Sequence, residues 1–231
     1  TDDNFATIIV AVEEGRKIYS NIQKTVKYLF SANMAEILAL FFITILLPGM
    51  TFLLPVQILF VNIITDSLPA IALGVEPVEK EIMSERPRKK NDNLISGGTG
   101  VSIVVLGAIQ TILTMAAYVF GLLMHNEAIA ITMAFYTLNL IQLFFMFTVR
   151  TKESCFKSNP FKNKFFTFSL LLGFGLLILM ACTGFGQILQ LEKLGESCWL
   201  VVILCSVSII FIGELYKWIE NKIRKKNCIR K

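Results

Sequence analysis

Residues Tyr28–Leu47 read YLFSANMAEILALFFITILL. This run carries no lysine or arginine and a single acid. It is long enough to cross the roughly 30 Å apolar core of a bilayer as one helix. The run is nevertheless interrupted by Ser31, Asn33 and Glu36. Asn33 and Glu36 stand three residues apart, which predicts a shared helix face. Polar groups are costly inside a bilayer, and an ionisable one by default marks a route for an ion or proton. The stretch therefore points both to a membrane helix and to chemistry within it.

The next apolar run, Leu54–Val75, follows a Pro48-Gly49 turn and has Pro55 at its mouth and Pro69 inside it. It contains Asn62, Thr65 and Asp66, whose spacings of three and four predict one face. Gln142, three residues after Asn139 in a later apolar run, adds a neutral oxygen to the candidate set. Two carboxylates with amides and a hydroxyl suit a hard cation such as calcium, which takes six to eight oxygens. Thiolate and imidazole, the ligands of softer metals, are missing from this set. Pro69 cannot donate to the helix ladder and is expected to disturb the turn before it. Carbonyls freed in this way are tolerated at membrane depth only where they line a polar site. The bland alternative is interhelical hydrogen bonding, which accounts for most lone Asn, Gln and Thr side chains in membrane helices. It fits Gln110, Thr111 and Gln142 taken alone, but Glu36 and Asp66 with same-face oxygen partners fit an ion or proton pathway better.

Working outward, residues 1–27 place Ile8, Ile9, Val12, Ile18, Ile22 and Val26 at near-helical spacing among charges. This predicts an amphipathic, water-exposed stalk that runs on into the first span. Further spans are expected near Gly100–Leu123, Ala128–Val149, Phe165–Thr183 and Cys198–Tyr216. The expected organisation is a cytoplasmic stalk (1–27), an ion-site helix pair (28–75) and a polar cytoplasmic loop (76–97). A four-helix supporting membrane domain (98–218) and a basic cytoplasmic tail (219–231) follow. The fold class is an all-α polytopic membrane bundle of six transmembrane helices with an N-terminal stalk helix.

Composition agrees. Of 231 residues, 55% are hydrophobic and 17% charged, too little polar surface for a soluble domain of this length. Six spans put both termini on one side, together with loops 76–97 and 150–164. Of 22 Lys and Arg residues, only Lys193 falls on the other side. The positive-inside rule therefore places the basic side, and both termini, in the cytoplasm. This orientation explains the net charge of +5 without a nucleic acid partner. The five cysteines form no C-x-x-C pair and read as small hydrophobes rather than a zinc site. Gly97-Gly98-Thr99-Gly100 lacks the Lys-Ser/Thr of a phosphate loop and reads as a joint. Glu214 is expected to pair with Lys217 or face water.

Several stretches carry a family resemblance. Asp2-Asp3-Asn4-Phe5, Ala11-Val12-Glu13-Glu14-Gly15-Arg16 and Ile18-Tyr19 resemble the segment of P-type ATPases that joins the phosphorylation domain to the fifth membrane helix. Ser31-Ala32-Asn33-Met34-Ala35-Glu36 resembles the calcium-pump version of that helix. Pro55-Val56-Gln57-Ile58-Leu59, Val61-Asn62, Thr65-Asp66-Ser67-Leu68-Pro69-Ala70 and Ala72-Leu73-Gly74 resemble its sixth helix. Ile82-Met83 with Arg86-Pro87-Arg88 is similar to the loop that follows. The likeness is dense over residues 1–90. Beyond residue 100 it rests on the span pattern, Thr132-Met133-Ala134 and Gln142-Leu143-Phe144. The chain thus resembles the fifth to tenth helices of a calcium-transporting P-type ATPase of the sarco/endoplasmic reticulum-like type.

The resemblance implies that Asn33, Glu36, Asn62, Thr65 and Asp66 bind calcium, with Asp66 bridging two sites and Glu36 a candidate for proton counter-transport. Two-site members have a Glu where Gln142 stands, so one or two ions per cycle stay open. The chain lacks the phosphorylated Asp-Lys-Thr-Gly motif, the Thr-Gly-Asp-Gly hinge motif, the actuator Thr-Gly-Glu and the Pro-Glu-Gly of the fourth helix. Without an initiator Met, it is expected to be a piece of a longer protein. ATP and Mg2+ would act in the rest of that parent, and this piece alone should not hydrolyse ATP. Membrane lipid, the transported cation and the remainder of the pump are the expected partners. The expected location is a bacterial plasma membrane, with an intracellular membrane as the alternative. Two other functions stay open: a pump for manganese, sodium or protons, and an independent six-helix channel or carrier.

Overall fold

The computed structural model describes residues 5–77, 82–83, 94–95, 98–151, 154–155 and 162–229. Asp2-Asp3-Asn4, Arg86-Pro87-Arg88, Gly97 and the last two residues, all part of the sequence readings above, lie outside them. The regular structure of the described residues is all helical, with no strand among them. Helix α1 spans Phe5–Leu46 without a break. At 1.5 Å per residue it is about 63 Å long, twice a bilayer core, so stalk and first span form one rod. The second span is α2 (Pro55–Phe60), a widened turn at Val61–Thr65 and α3 (Ser67–Gly74). Then come α4 (Thr99–Met124), α5 (Glu127–Arg150), α6 (Lys164–Cys182), a 3-10 turn at Gly184–Leu189 and α7 (Glu196–Ile229). Six of these units are long and apolar enough to cross a membrane.

Local chemistry sets the ends of these helices. Asn126 caps α5 by accepting from the Ile129 N–H at 2.9 Å. Asn163 caps α6 by accepting from the N–H groups of Phe165 and Phe166. The short loop after α1 is fixed by Tyr118, whose hydroxyl donates to the Thr51 carbonyl at 2.9 Å, and by the Glu127 carboxylate on the Thr51 N–H. Gln57 reaches across to the Leu189 carbonyl at 2.9 Å and ties the mouth of the second span to the 3-10 turn. The stalk also gathers described parts of the following loop: Arg16 donates to the Ile82 carbonyl and Gln23 to the Leu94 carbonyl. Ile8, Ile9, Val10, Ile18 and Ile22 on the stalk remain exposed.

Helix α5 runs through the middle and is buried along almost its whole length. It packs against α1, α3, α4, α6 and α7. In a bilayer, lipid tails are as apolar as leucine, so helices associate through close packing at small residues rather than by escape from water. Two glycines mark such contacts. A Cβ on Gly213 of α7 would meet Thr148 Cγ2 of α5 at 2.5 Å. A Cβ on Gly121 of α4 would lie 2.7 Å from Ala130 Cα and 3.1 Å from Ala130 N. Backbone cannot step aside as a side-chain tip can. Gly121→Ala should therefore separate α4 from α5 and cost about 1–3 kcal/mol. A lower unfolding midpoint in detergent is the expected reading, and an unchanged midpoint would mean this contact is not tight.

Candidate functional site

The site is built where α1, the second span and α5 meet. Helical periodicity turns Glu36 inward beside Ala32, Ala35 and Ala39, which are fully buried and let the neighbouring helices approach closely. Glu36 itself is 5% exposed. Its Oε2 accepts from Asn62 Nδ2 at 3.0 Å, and its Oε1 accepts a long contact of 3.5 Å from Gln142 Nε2. Three elements are thereby joined at one carboxylate.

The second span is irregular at this depth. Five residues, Val61–Thr65, form a π turn, and the Asp66 N–H donates to the Val61 carbonyl at 3.0 Å, one residue further back than in an α-helix. Thr65 Oγ1 also donates to that carbonyl at 2.8 Å, and Ser67 Oγ donates to the Asn62 carbonyl at 3.2 Å. Pro69 falls in the first turn of α3, where a missing donor is tolerated. It has no N–H to offer the Thr65 carbonyl one turn back. The helix thus widens ahead of the proline, and the widening carries Asn62, Thr65 and Asp66 toward the bundle.

Asp66 is 2% exposed, and neither of its carboxylate oxygens has a hydrogen-bond partner. It lies within electrostatic reach of Glu36, and the Tyr28 hydroxyl lies within reach of both acids. Gln142 Oε1 and Asn139 Oδ1 on α5 are likewise buried without partners. Buried polar atoms are nearly always paired, so orphaned acceptors in one region need an explanation. A hard cation is a partner these atoms could share, because each of them is an oxygen with lone pairs to offer. Among the described residues no three His, Cys, Asp or Glu side chains gather together. A cation held here would have to complete its shell from amide, hydroxyl and carbonyl oxygens, as a hard ion does.

The structure brings Glu36, Asn62 and Gln142 into contact and buries Thr65 and Asp66 beside them. Asn33 is different: it is exposed, on the α1 face that also shows Phe30, Ile37 and Phe41. The sequence expectation that Asn33 and Glu36 look the same way is not met within this chain.

Other groups fall outside the site. Glu214 pairs with Lys217 at 2.7 Å, as its position suggested. Burial, helped by Glu214, pushes the Cys155 thiol up to about 11, so it is no nucleophile at neutral pH. A cavity of about 710 Å3 near the 3-10 turn is lined by Tyr136, Cys182, Gln190, Lys193 and Trp199, none of them an expected ligand. Sequence reading missed a buried polar cluster at the end of α3, formed by Glu76, Arg150 and Asn163. Each falls in or beside a loop expected from the sequence, and no local spacing links residues 74 and 87 positions apart.

Comparison with known proteins bears on this geometry. The family model "Cation transporting ATPase, C-terminus" matches residues 50–219. The chain belongs to that family. It is 36% identical over 98% of its length to calcium-transporting ATPase 1 of Bacillus cereus, covering 27% of that protein. It is 42% identical over 70% of its length to a calcium-transporting ATPase of Bacillus subtilis, covering 18% of it. An endoplasmic reticulum calcium ATPase of Aspergillus fumigatus is 42% identical over 55% of the chain and 13% of its own length. The chain thus spans about a quarter or less of these relatives. The cation-ATPase resemblance read from the sequence holds, and with six apolar helices the chain is an integral, multi-pass membrane protein.

Proposed function

We propose that this chain is the membrane part of an ATP-driven calcium transporter and carries part of the intramembrane calcium site. The observation that carries the reading is the partnerless Asp66 carboxylate, buried within reach of Glu36 at a π turn. Glu36, Asn62, Thr65 and Asp66 are the ligands, with Gln142 as a neutral contributor. The relatives' names speak of calcium transport, which supports this ion over manganese, sodium or protons.

Asn33 joins the set only if a further element covers the exposed face of α1. The rest of the pump is the proposed cover, and it is also where ATP and Mg2+ would act. The amides of Asn62 and Gln142 turn their N–H groups toward Glu36. A cation would reverse that arrangement, because it needs the amide oxygens instead. The excess of Lys and Arg in the loops and tail on one side supports a cytoplasmic position for both termini of this chain.

The test is made on the full-length protein in sealed vesicles. Micromolar calcium should stimulate ATP hydrolysis, and labelled calcium should accumulate only when ATP is present. Calcium flux through this chain alone, without ATP, would instead favour a channel or carrier.

A further inference from the structure

Helix α3 ends in a knot of side chains drawn from three other helical regions. Asn21 of the stalk donates through Nδ2 to the carbonyls of Gly74 (3.2 Å) and Glu76 (2.8 Å). Asn163, at the start of α6, donates through Nδ2 to the Ala72 carbonyl (2.9 Å) and to Glu76 Oε2 (2.7 Å). Arg150, the last residue of α5, donates through Nη1 to Glu76 Oε1 at 3.0 Å and lies over the Phe166 ring of α6. The last carbonyls of a helix have no N–H of their own to accept from, and here amide side chains supply it. The orientation of Asn163 is fixed because its Oδ1 is occupied in capping α6. Glu76, Arg150 and Asn163 are all no more than 5% exposed.

The two sides of this knot differ in strength. On the stalk side the described bonds to α3 and its end come from neutral groups, two from the Asn21 amide and one from the Thr25 hydroxyl to the Ala70 carbonyl at 3.2 Å. α5 and α6 hold it through a charge-assisted pair and a second short bond to the same buried carboxylate. Hydrogen bonds to ionised groups are roughly twice as strong as neutral ones. A buried ion pair is also hard to separate, since either partner left alone is a buried charge. If the stalk moves along or about its axis, the end of α3 will stay with α5 and α6. Asp66 lies about 15 Å back along the same span from Glu76. Glu36 rides on the stalk's own rod.

We propose that Glu76 is a positioning residue that anchors the Asp66-bearing span to α5 and α6, so that stalk movement displaces Glu36 relative to Asp66. The proposal rests on the calcium-transport reading above. Without the anchor the second span would follow the stalk, and the two carboxylates would travel together. The site would then be poorly formed and would open and close incompletely.

The test compares wild type, Glu76→Gln and Arg150→Lys in the full-length protein. It measures half-saturating calcium, calcium carried per ATP hydrolysed and the unfolding midpoint. Glu76→Gln is expected to raise half-saturating calcium about tenfold and to at least halve the calcium carried per ATP, with about a threefold rise for Arg150→Lys. A purely structural role would lower the unfolding midpoint and leave both calcium readings of the folded protein unmoved. That result in either variant overturns the anchor. A wild type without any calcium response overturns the calcium reading itself.

Discussion

Asp66→Asn in the full-length protein is expected to abolish calcium-stimulated ATP hydrolysis, with half-saturating calcium raised by at least about 100-fold, or nearly 3 kcal/mol. The argument starts from burial. Asp66 sits 2% exposed, with neither oxygen paired. A buried carboxylate with no hydrogen-bond partner is unfavourable, so Asp66 is held at a cost in stability. Such a group is retained only if another state of the protein repays it, and a bound divalent ion would do so. Asparagine has nearly the same shape but carries no charge. The variant should therefore fold as well as wild type or better, while the response to calcium disappears. Opposite movement of stability and function is what a strained binding group produces. If Asp66→Asn keeps its calcium response, the site lies elsewhere.

The main outline of the fold was legible because a bilayer constrains a sequence so heavily. Six apolar runs of sufficient length, with nearly all positive charge between alternate pairs, leave little freedom in topology. The acidic positions were legible for a related reason: an acid in such a run is too costly to be incidental. Asn33 shows where this logic stops. Residues three apart on a helix differ by about 60° around the axis, which at the edge of a bundle separates inside from outside. Spacing places Asn33 near Glu36 but does not say which elements lie over it. The π turn was only half legible. Pro69 announced a disturbance, but its form, five residues wound with wider hydrogen bonds ahead of the proline, depends on the neighbouring helices. The cluster at Glu76 was not legible at all. Its partners come from three helix ends distant in sequence, and a Glu-Pro or an Arg at a span boundary ordinarily marks a loop.

Glu36→Gln is expected to raise half-saturating calcium by about 100-fold as well, but through a different balance of forces. Glu36 is not orphaned. It accepts from Asn62 Nδ2 at 3.0 Å and from Gln142 Nε2 at 3.5 Å, so both of its oxygens face N–H donors. A glutamine can offer its single carbonyl to only one of them. Its own NH2 group can be met only by turning the Gln142 amide over so that Oε1 accepts, and the bonds at this position then join neutral groups. Losing the charge-assisted bonds costs about 1–3 kcal/mol. Glu36→Gln should therefore lower the unfolding midpoint, whereas Asp66→Asn should leave it unchanged or raise it. The two variants are close in size and chemistry and are expected to share one functional loss with different effects on stability. A general weakening of the bundle cannot produce that pattern, because it would move both midpoints down together. Melting curves of the two purified variants, set beside their calcium titrations, decide the matter. A Glu36→Gln protein with unaltered calcium dependence would remove Glu36 from the ligand set and leave it a structural tie between α1, the second span and α5.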